Sequence, residues 1–249
     1  MQKSFFFVLV FLTLYITLSC DKNDDEVTNS ISIISASSID IKELSGLCAL
    51  SSDILYTVSD NTNKIYKIST SGKILSSFSF ALADLEGIAV NPNDQSIYVV
   101  EERKREITQF NKLGTKIRSI TVNVKNREIN SGLEGICIDP TNNNIFVLNE
   151  KSPGKLIELN SDGSQINSTD LHFASDYSGL CINPDTEELW ILSDESRKLF
   201  KCNKKGSLIK EYNININKME GIAIDFNSEK IYIVSDAYKK IYQLKLPNK

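Results

Sequence analysis

Leu133-Glu134-Gly135-Ile136-Cys137-Ile138-Asp139-Pro140, trailed by Ile145-Phe146-Val147-Leu148-Asn149-Glu150, is one copy of a phrase that the chain repeats five times. Leu85-Glu86-Gly87-Ile88-Ala89-Val90 leads to Ile97-Tyr98-Val99-Val100-Glu101-Glu102. Met219-Glu220-Gly221-Ile222-Ala223-Ile224 leads to Ile231-Tyr232-Ile233-Val234-Ser235-Asp236. Ser178-Gly179-Leu180-Cys181-Ile182 leads to Leu189-Trp190-Ile191-Leu192-Ser193-Asp194. The most worn copy, Leu44-Ser45-Gly46-Leu47-Cys48, leads to Leu55-Tyr56-Thr57-Val58-Ser59-Asp60. The marker glycines Gly46, Gly87, Gly135, Gly179 and Gly221 are 41, 48, 44 and 42 residues apart. A period in the forties is the length of a propeller blade, a unit that buries its apolar faces only by stacking on its neighbours.

Each copy reads as four strands. The apolar run after the glycine suits a strand buried on both faces. A polar turn such as Asn91-Pro92-Asn93-Asp94 follows, then a second strand rich in β-branched and aromatic residues, for example Tyr98-Val99-Val100. Third strands are Ile65 to Ile68, Ile107 to Phe110, Leu156 to Leu159, Leu199 to Cys202 and Ile241 to Leu244. Glycine turns at Gly72, Gly114, Gly163 and Gly206 lead into fourth, more polar strands. The last copy lacks its fourth strand, because the sequence stops at Lys249 soon after Leu246. Ser30-Ile31-Ser32-Ile33-Ile34-Ser35 has the character of the missing piece. The expected fold is therefore all-β: a five-bladed β-propeller of four-stranded blades, closed by an N-terminal strand over Ile31 to Ser35.

The chain has 249 residues, 41% hydrophobic and 24% charged, with a formal charge of −4. Its one basic run, Arg103-Lys104-Arg105, is flanked by Glu101, Glu102 and Glu106, so nucleic acid is excluded as an expected partner. Lys3 followed by the apolar run Phe5 to Leu18 reads as a secretory signal peptide, too short to span a bilayer as a helix. Its end, Ile16-Thr17-Leu18-Ser19-Cys20, resembles the lipobox of bacterial lipoproteins, which implies lipidation of Cys20. The acidic Asp21 to Glu26 resembles the tether by which some Gram-negative bacteria display such proteins on the cell surface. The expected organisation is a signal peptide over 1–19, a tether over 20–29 and a propeller over 30–247. The expected location is the cell envelope, with the protein lipid-anchored to a membrane, the outer membrane or cell surface. Cys48, Cys137 and Cys181 take the place of Ala89 and Ala223 in the other copies, which marks a small buried position rather than a disulfide framework.

Strand pairing places a site. The first and second strands of a blade form an antiparallel hairpin, so the start of one lies beside the end of the other. Glu86, Glu134 and Glu220, with Ser45 and Ser178, should ring one mouth of the axial channel. Asp60, Glu102, Glu150, Asp194 and Asp236 should lie on the same face, slightly farther out. Two plain structural roles compete with ligand binding. Lys64, Lys155, Lys198 and Lys240 open the third strands and could pair with the outer acids. The inner glutamates could cap backbone amides at the strand start, with the glycines allowing close approach of neighbouring backbones.

The repeated Glu-Gly-Ile start, the Ser-Asp or Glu-Glu strand ends and the lipoprotein-like N-terminus resemble the SdiA-regulated family of bacterial envelope proteins. The resemblance covers about residues 31–246 by the repeat count. It implies a five-bladed propeller with a pocket for a ligand or metal. The Glu-Gly start is also similar to esterase-like phytases and to gluconolactonase-type propellers, in which calcium lies on the axis. Ser45-Gly46 and Ser178-Gly179 depart from that pattern by lacking the glutamate.

Calcium is the expected cation, at Glu86, Glu134 and Glu220, because it takes several hard oxygen ligands in flexible geometry. Zinc and redox metals are disfavoured, since the repeats offer no histidines there. Two functions fit. One is a monomeric, membrane-anchored module binding a small ligand, glycan or partner protein at the acidic mouth. The other is a calcium-dependent hydrolase of an ester, lactone or phosphate, whose base near the cation the sequence does not single out. His172, the one histidine, cannot by itself support a triad.

Overall fold

A computed structural model describes residues 29–124 and 131–247. The leader, Cys20 and the tether up to residue 28 fall outside the described residues. Among the described residues there are twenty strands and no helix. The short strand β1 (Ile33–Ser38) comes first. Blade 1 holds β2 (Leu44–Ala49), β3 (Ile54–Ser59), β4 (Lys64–Ser69) and β5 (Ile74–Ser79). Blade 2 holds β6 (Leu85–Val90), β7 (Ile97–Glu101), β8 (Glu106–Phe110) and β9 (Lys116–Thr121). Blade 3 holds β10 (Leu133–Ile138), β11 (Ile145–Asn149), β12 (Lys155–Leu159) and β13 (Gln165–Asp170). Blade 4 holds β14 (Gly179–Ile182), β15 (Leu189–Ser193), β16 (Lys198–Cys202) and β17 (Leu208–Asn213). Blade 5 holds β18 (Met219–Asp225), β19 (Lys230–Ser235) and β20 (Lys240–Lys245), with β1 as its outer strand. The protein is a five-bladed β-propeller.

The period-2 alternation of each second strand sorts its side chains between two neighbours. In β11, Ile145 and Val147 pack toward blade 2, whereas Phe146 and Leu148 pack toward blade 4. The buried residues accordingly form five clusters, one at each junction between blades. A blade has no core of its own. Its apolar surface leaves water only when the next blade is in place.

Closure uses the expected N-terminal segment, displaced along the chain. The strand runs over Ile33–Ser38, with Ser38 opposite Lys240 and Ile33 opposite Leu244. Ile31, expected inside that strand, is instead buried between blades 4 and 5 beside Tyr212 and Ile214. Its N–H donates to the Asn213 carbonyl at 3.0 Å, and the Asn213 N–H donates to the Asn29 carbonyl at 2.7 Å. One segment therefore holds two blades: residues 29–31 bond to β17, and β1 bonds to β20.

At the axis the five first strands meet almost without side chains between them. A Cβ added to Gly87 would lie 2.1 Å from the Glu134 carbonyl oxygen of blade 3. One on Gly221 would lie 2.5 Å from the Leu47 nitrogen of blade 1, and one on Gly135 would lie 2.8 Å from the Gly179 carbonyl carbon of blade 4. The ring is pinched here to a void of about 10 Å³. Gly87→Ala must push two blades apart, and overpacking of this kind costs about 1–3 kcal/mol; a urea titration of the variant should show that loss without a change of fold. Removing residues up to Ser38 should lower the thermal midpoint further, because β20 loses its neighbour and the cluster between blades 4 and 5 loses Ile31.

Candidate functional site

The inner strands carry an irregularity at the residues expected to line the mouth. In β6 the pairing with β7 steps from Leu85 to Gly87 across Glu86, and in β18 the pairing with β19 steps from Met219 to Gly221 across Glu220. In β10 the shift spans Leu133 to Ile136, which contains Glu134. An extra residue on one strand of a pair bends the strand and re-aims its side chain. The Glu-Gly step is thus a β-bulge that frees the glutamate from the ladder at one end of the axis.

The carboxylates expected at this mouth are brought together in two tight groups. Oxygens of Glu102, Glu134 and Glu150 lie within 4.8 Å of one another, and so do those of Asp60, Asp84 and Glu86. Glu86 and Glu134 therefore fall in different groups, and Glu220 joins neither among the described residues. The three inner glutamates still sense one another, since both Glu86 and Glu220 raise the Glu134 carboxyl.

Neither ring of acids plays the structural role that spacing suggests. The outer acids do the capping. Asp194 Oδ1 accepts the Met219 N–H of the next blade at 3.0 Å, and Glu102 Oε1 accepts the Gly132 N–H at 2.9 Å. Asp236 Oδ1 accepts the Leu44 N–H at 3.3 Å, across the point where the ring closes. The lysine pairing goes elsewhere. Lys198 Nζ lies 2.6 Å from Glu211 Oε1 and Lys155 pairs with Asp170, both acids on outer strands. Register explains this: Lys198 stands opposite Ser193 and Asn213, while Asp194 is past the strand end and turns toward blade 5. Among the described residues no backbone N–H donates to the carboxylates of Glu86, Glu134 or Glu220; Glu86 takes a hydrogen bond from the Ser45 hydroxyl. Ser178 is buried and spends its hydroxyl on the Met219 carbonyl at 2.9 Å, so it serves the junction rather than the mouth.

Burial without compensation raises these acids. The Glu86 carboxyl is pushed up to about 8, first by burial and then by Asp60, Glu102 and Glu220, against the Ser45 bond. Glu220 is pushed up to about 7 by burial, opposed by Lys218 and reinforced by Asp194, Asp236 and Asp176. Glu134 stands well above the usual carboxylate range, through burial and then Glu150 and Glu86. Burial also raises Asp60, Glu102 and Glu150, the last opposed by Lys151 at 2.8 Å.

Asp84 and Asp176 belong to this face and were not singled out from the repeat. Each sits two residues before the bulge position, where the other copies have Glu43, Gly132 and Lys218. Asp84 Oδ2 accepts the Arg103 N–H at 2.7 Å, and Asp84 Oδ1 is 3.3 Å from the Arg103 guanidinium. Asp176 Oδ1 accepts from Ser193 Oγ and from the Glu195 N–H at 3.0 Å. That shared offset was the available signal, hidden because two of the five copies carry Gly or Lys there.

A family model described as SdiA-regulated matches residues 29–244. No curated protein matches the chain. Among solved structures, a chain of a nidogen/laminin complex superimposes with a TM-score of 0.58 at 17% identity, over 83% of this chain and 81% of that one. A streptogramin B lyase gives 0.52 at 18% identity, over 86% and 73%. A catalytically inactive virginiamycin B lyase from Staphylococcus aureus with quinupristin gives 0.52 at 18%, over 82% and 66%. Likeness at these identities shows the fold alone.

Two outcomes follow from the geometry. Asp194→Ala leaves the Met219 N–H without its acceptor, which should cost about 1–3 kcal/mol, whereas Asp60→Ala removes no side-chain hydrogen bond or ion pair among the described residues and should cost far less; denaturant midpoints compare them directly. In chelator, the folded protein binds more protons than the unfolded chain wherever Glu86 is held above 4.5, so stability should fall as pH rises from 4.5 to about 8. The paired acids Asp139, Asp170 and Asp225 are held below 3.8 and titrate outside that window. Glu86→Gln should flatten the slope, as read by thermal melts across the pH range.

Proposed function

The chain belongs to the SdiA-regulated family, and on that basis we propose a binding module: an exported, lipid-anchored propeller that holds calcium at its acidic mouth and, with it, a small ligand, glycan or partner protein. The observation that carries the reading is Glu134. Its carboxylate is partly buried, accepts no backbone N–H among the described residues, and lies within 4.8 Å of oxygens of Glu102 and Glu150. Evolution of a stable fold does not need such a group, because like charges this close repel unless a cation or protons compensate.

The donor set suits calcium. Three carboxylates offer hard oxygens, and Glu102 and Glu150 each keep one oxygen clear of the Gly132 and Lys151 contacts. Water and ligand oxygens would complete the six to eight donors that calcium takes. The Asp60–Asp84–Glu86 group is the weaker candidate, since Arg103 occupies both oxygens of Asp84 and Ser45 bonds Glu86. Bound calcium would supply positive charge and open coordination positions facing solvent. The protein's own part is to present Glu134 bare on its bulge, with Glu102 and Glu150 fixed beside it by strand ends.

The hydrolase reading uses the same mouth. In that reading the general base would be a raised carboxylate outside the cation group, with Glu86 and Glu220 as the candidates. A panel of ester, lactone and phosphoester substrates separates the readings, and the expected result for the binding module is no turnover above background.

Calcium at a hundred times its dissociation constant should raise stability by about 2.7 kcal/mol. Glu134→Gln should abolish most of that gain and, at alkaline pH where Glu134 ionises, raise the stability of the calcium-free protein, since it removes a repelled charge. No calcium-dependent shift at millimolar concentrations would overturn the metal reading. Anchoring is tested separately: Cys20→Ser should move the protein from the membrane fraction to the soluble fraction, with wild-type protein remaining bound through its acyl chains.

A further inference from the structure

The far end of the axis is chemically unlike the acidic mouth. Below the glycine waist, whose void of about 10 Å³ separates the two ends, the channel opens into a cavity of about 490 Å³. That volume lies within the range of small-molecule pockets. The wall is made where the first strands run out toward their turns. Cys48, Cys137 and Cys181 line it at the level where the other two blades have Ala89 and Ala223. Aliphatic neighbours such as Ile136, Leu180 and Ile222 stand above them, and Phe226 is at the edge. Cys48 and Cys181 are only partly buried: each packs against a blade junction and also borders this space.

The thiols do not make a metal centre. The side-chain groups tight enough to hold an ion, among the described residues, contain no cysteine. Burial pushes the Cys48 thiol up to about 12 and the Cys181 thiol up to about 11, so both stay neutral and behave as small apolar groups. The lining includes no lysine, arginine or histidine. Its charged members are Asp185, in a turn, and Asp225, the last residue of β18, which stands opposite Lys230. Asp225 is kept ionised there by the Ser228 hydroxyl at 2.6 Å and the Asn227 N–H at 3.1 Å.

We propose that this cavity is a second binding site, independent of the acidic mouth, for a small apolar amine whose hydrocarbon or aromatic body enters the thiol-lined wall while its ammonium group stays at the rim beside Asp185 and Asp225. Apolar enclosure supplies affinity and the two carboxylates set the sign of the head group. Anionic amphiphiles of the same length meet Asp185 at the rim and find no cation in the lining; Lys230, opposite Asp225 on β19, lies outside it.

N-phenylnaphthylamine, an uncharged dye that brightens in apolar surroundings, reports occupancy of the intact mature protein. Octylammonium and octanoate are then compared as displacers. Octylammonium should displace the dye at a concentration at least about tenfold lower, which corresponds to about 1.4 kcal/mol of discrimination. The double variant Asp185→Asn, Asp225→Asn should bring the two displacers close together while the dye still binds. Cys181→Phe fills the wall and should abolish dye binding, whereas Cys181→Ala should keep it; circular dichroism establishes that both are folded. Because the turn at Asp225 is itself held by that side chain, Asp185→Asn alone serves as the second rim variant. Failure of the dye to bind wild-type protein, equal displacement by octanoate, or undiminished binding to folded Cys181→Phe would each overturn the proposal. None of these results depends on calcium, so they leave the reading of the acidic mouth untouched.

Discussion

Backbone meets backbone on the axis of this propeller, and the rest of the molecule depends on that contact. With five blades the ring is narrow, and the inner strands must approach more closely than a Cβ allows at Gly87, Gly135 and Gly221. The glycines are therefore spent on proximity between blades rather than on turns. Their position has a second consequence. A bulge at the Glu-Gly step places the glutamate just outside the waist, where it faces the axis without a ladder partner. Packing and site share one local feature.

The acids around that step divide by whether a backbone group answers them. Asp194, Glu102 and Asp236 each stitch a blade to the start of the next, so removing charge from them disturbs the ring itself. Among the described residues Glu134 is answered by no such group, and Glu86 by a serine hydroxyl. In the first set the hydrogen bond offsets part of what desolvation costs, although burial still raises the Glu102 carboxyl. For the second set the cost stands in the free protein and is expressed as carboxyls held high. Cysteines show the same division between packing and exposure at the other end. Cys202 is buried within a junction cluster, whereas Cys48, Cys137 and Cys181 border the cavity.

Much of this was legible in the chain because the blade is a repeat, and a repeat supplies its own alignment. Blade number, strand count, the inner position of the Glu-Gly strands and closure by the N-terminal segment all follow from five copies written in one order. Ile31 shows the limit of that reading. Its alternation with Ile33 marks a strand, yet the side chain is captured by Tyr212 and Ile214 of another blade, and the strand begins two residues later. Lys155 and Lys198 show another limit, since spacing places them near two sets of acids and the register chooses the outer one. Asp84 and Asp176 were missed because the other copies carry Glu43, Gly132 and Lys218 at their position, although each accepts from the amide 19 residues further on, that of Arg103 and that of Glu195.

By itself the sequence determined the fold class, the number of blades and the face on which acidic groups converge, because period-2 alternation and a period in the forties act through the chain's own geometry. Only the tertiary structure decided which acid touches which. It split the expected glutamate ring into two groups, gave capping to the outer acids, and opened a separate apolar cavity beyond the waist. The physical reason is scale. Repeat spacing places a residue to within a strand, but hydrogen bonds and charge pairs are settled over a few ångströms, by bulges, turns and neighbours that belong to other blades.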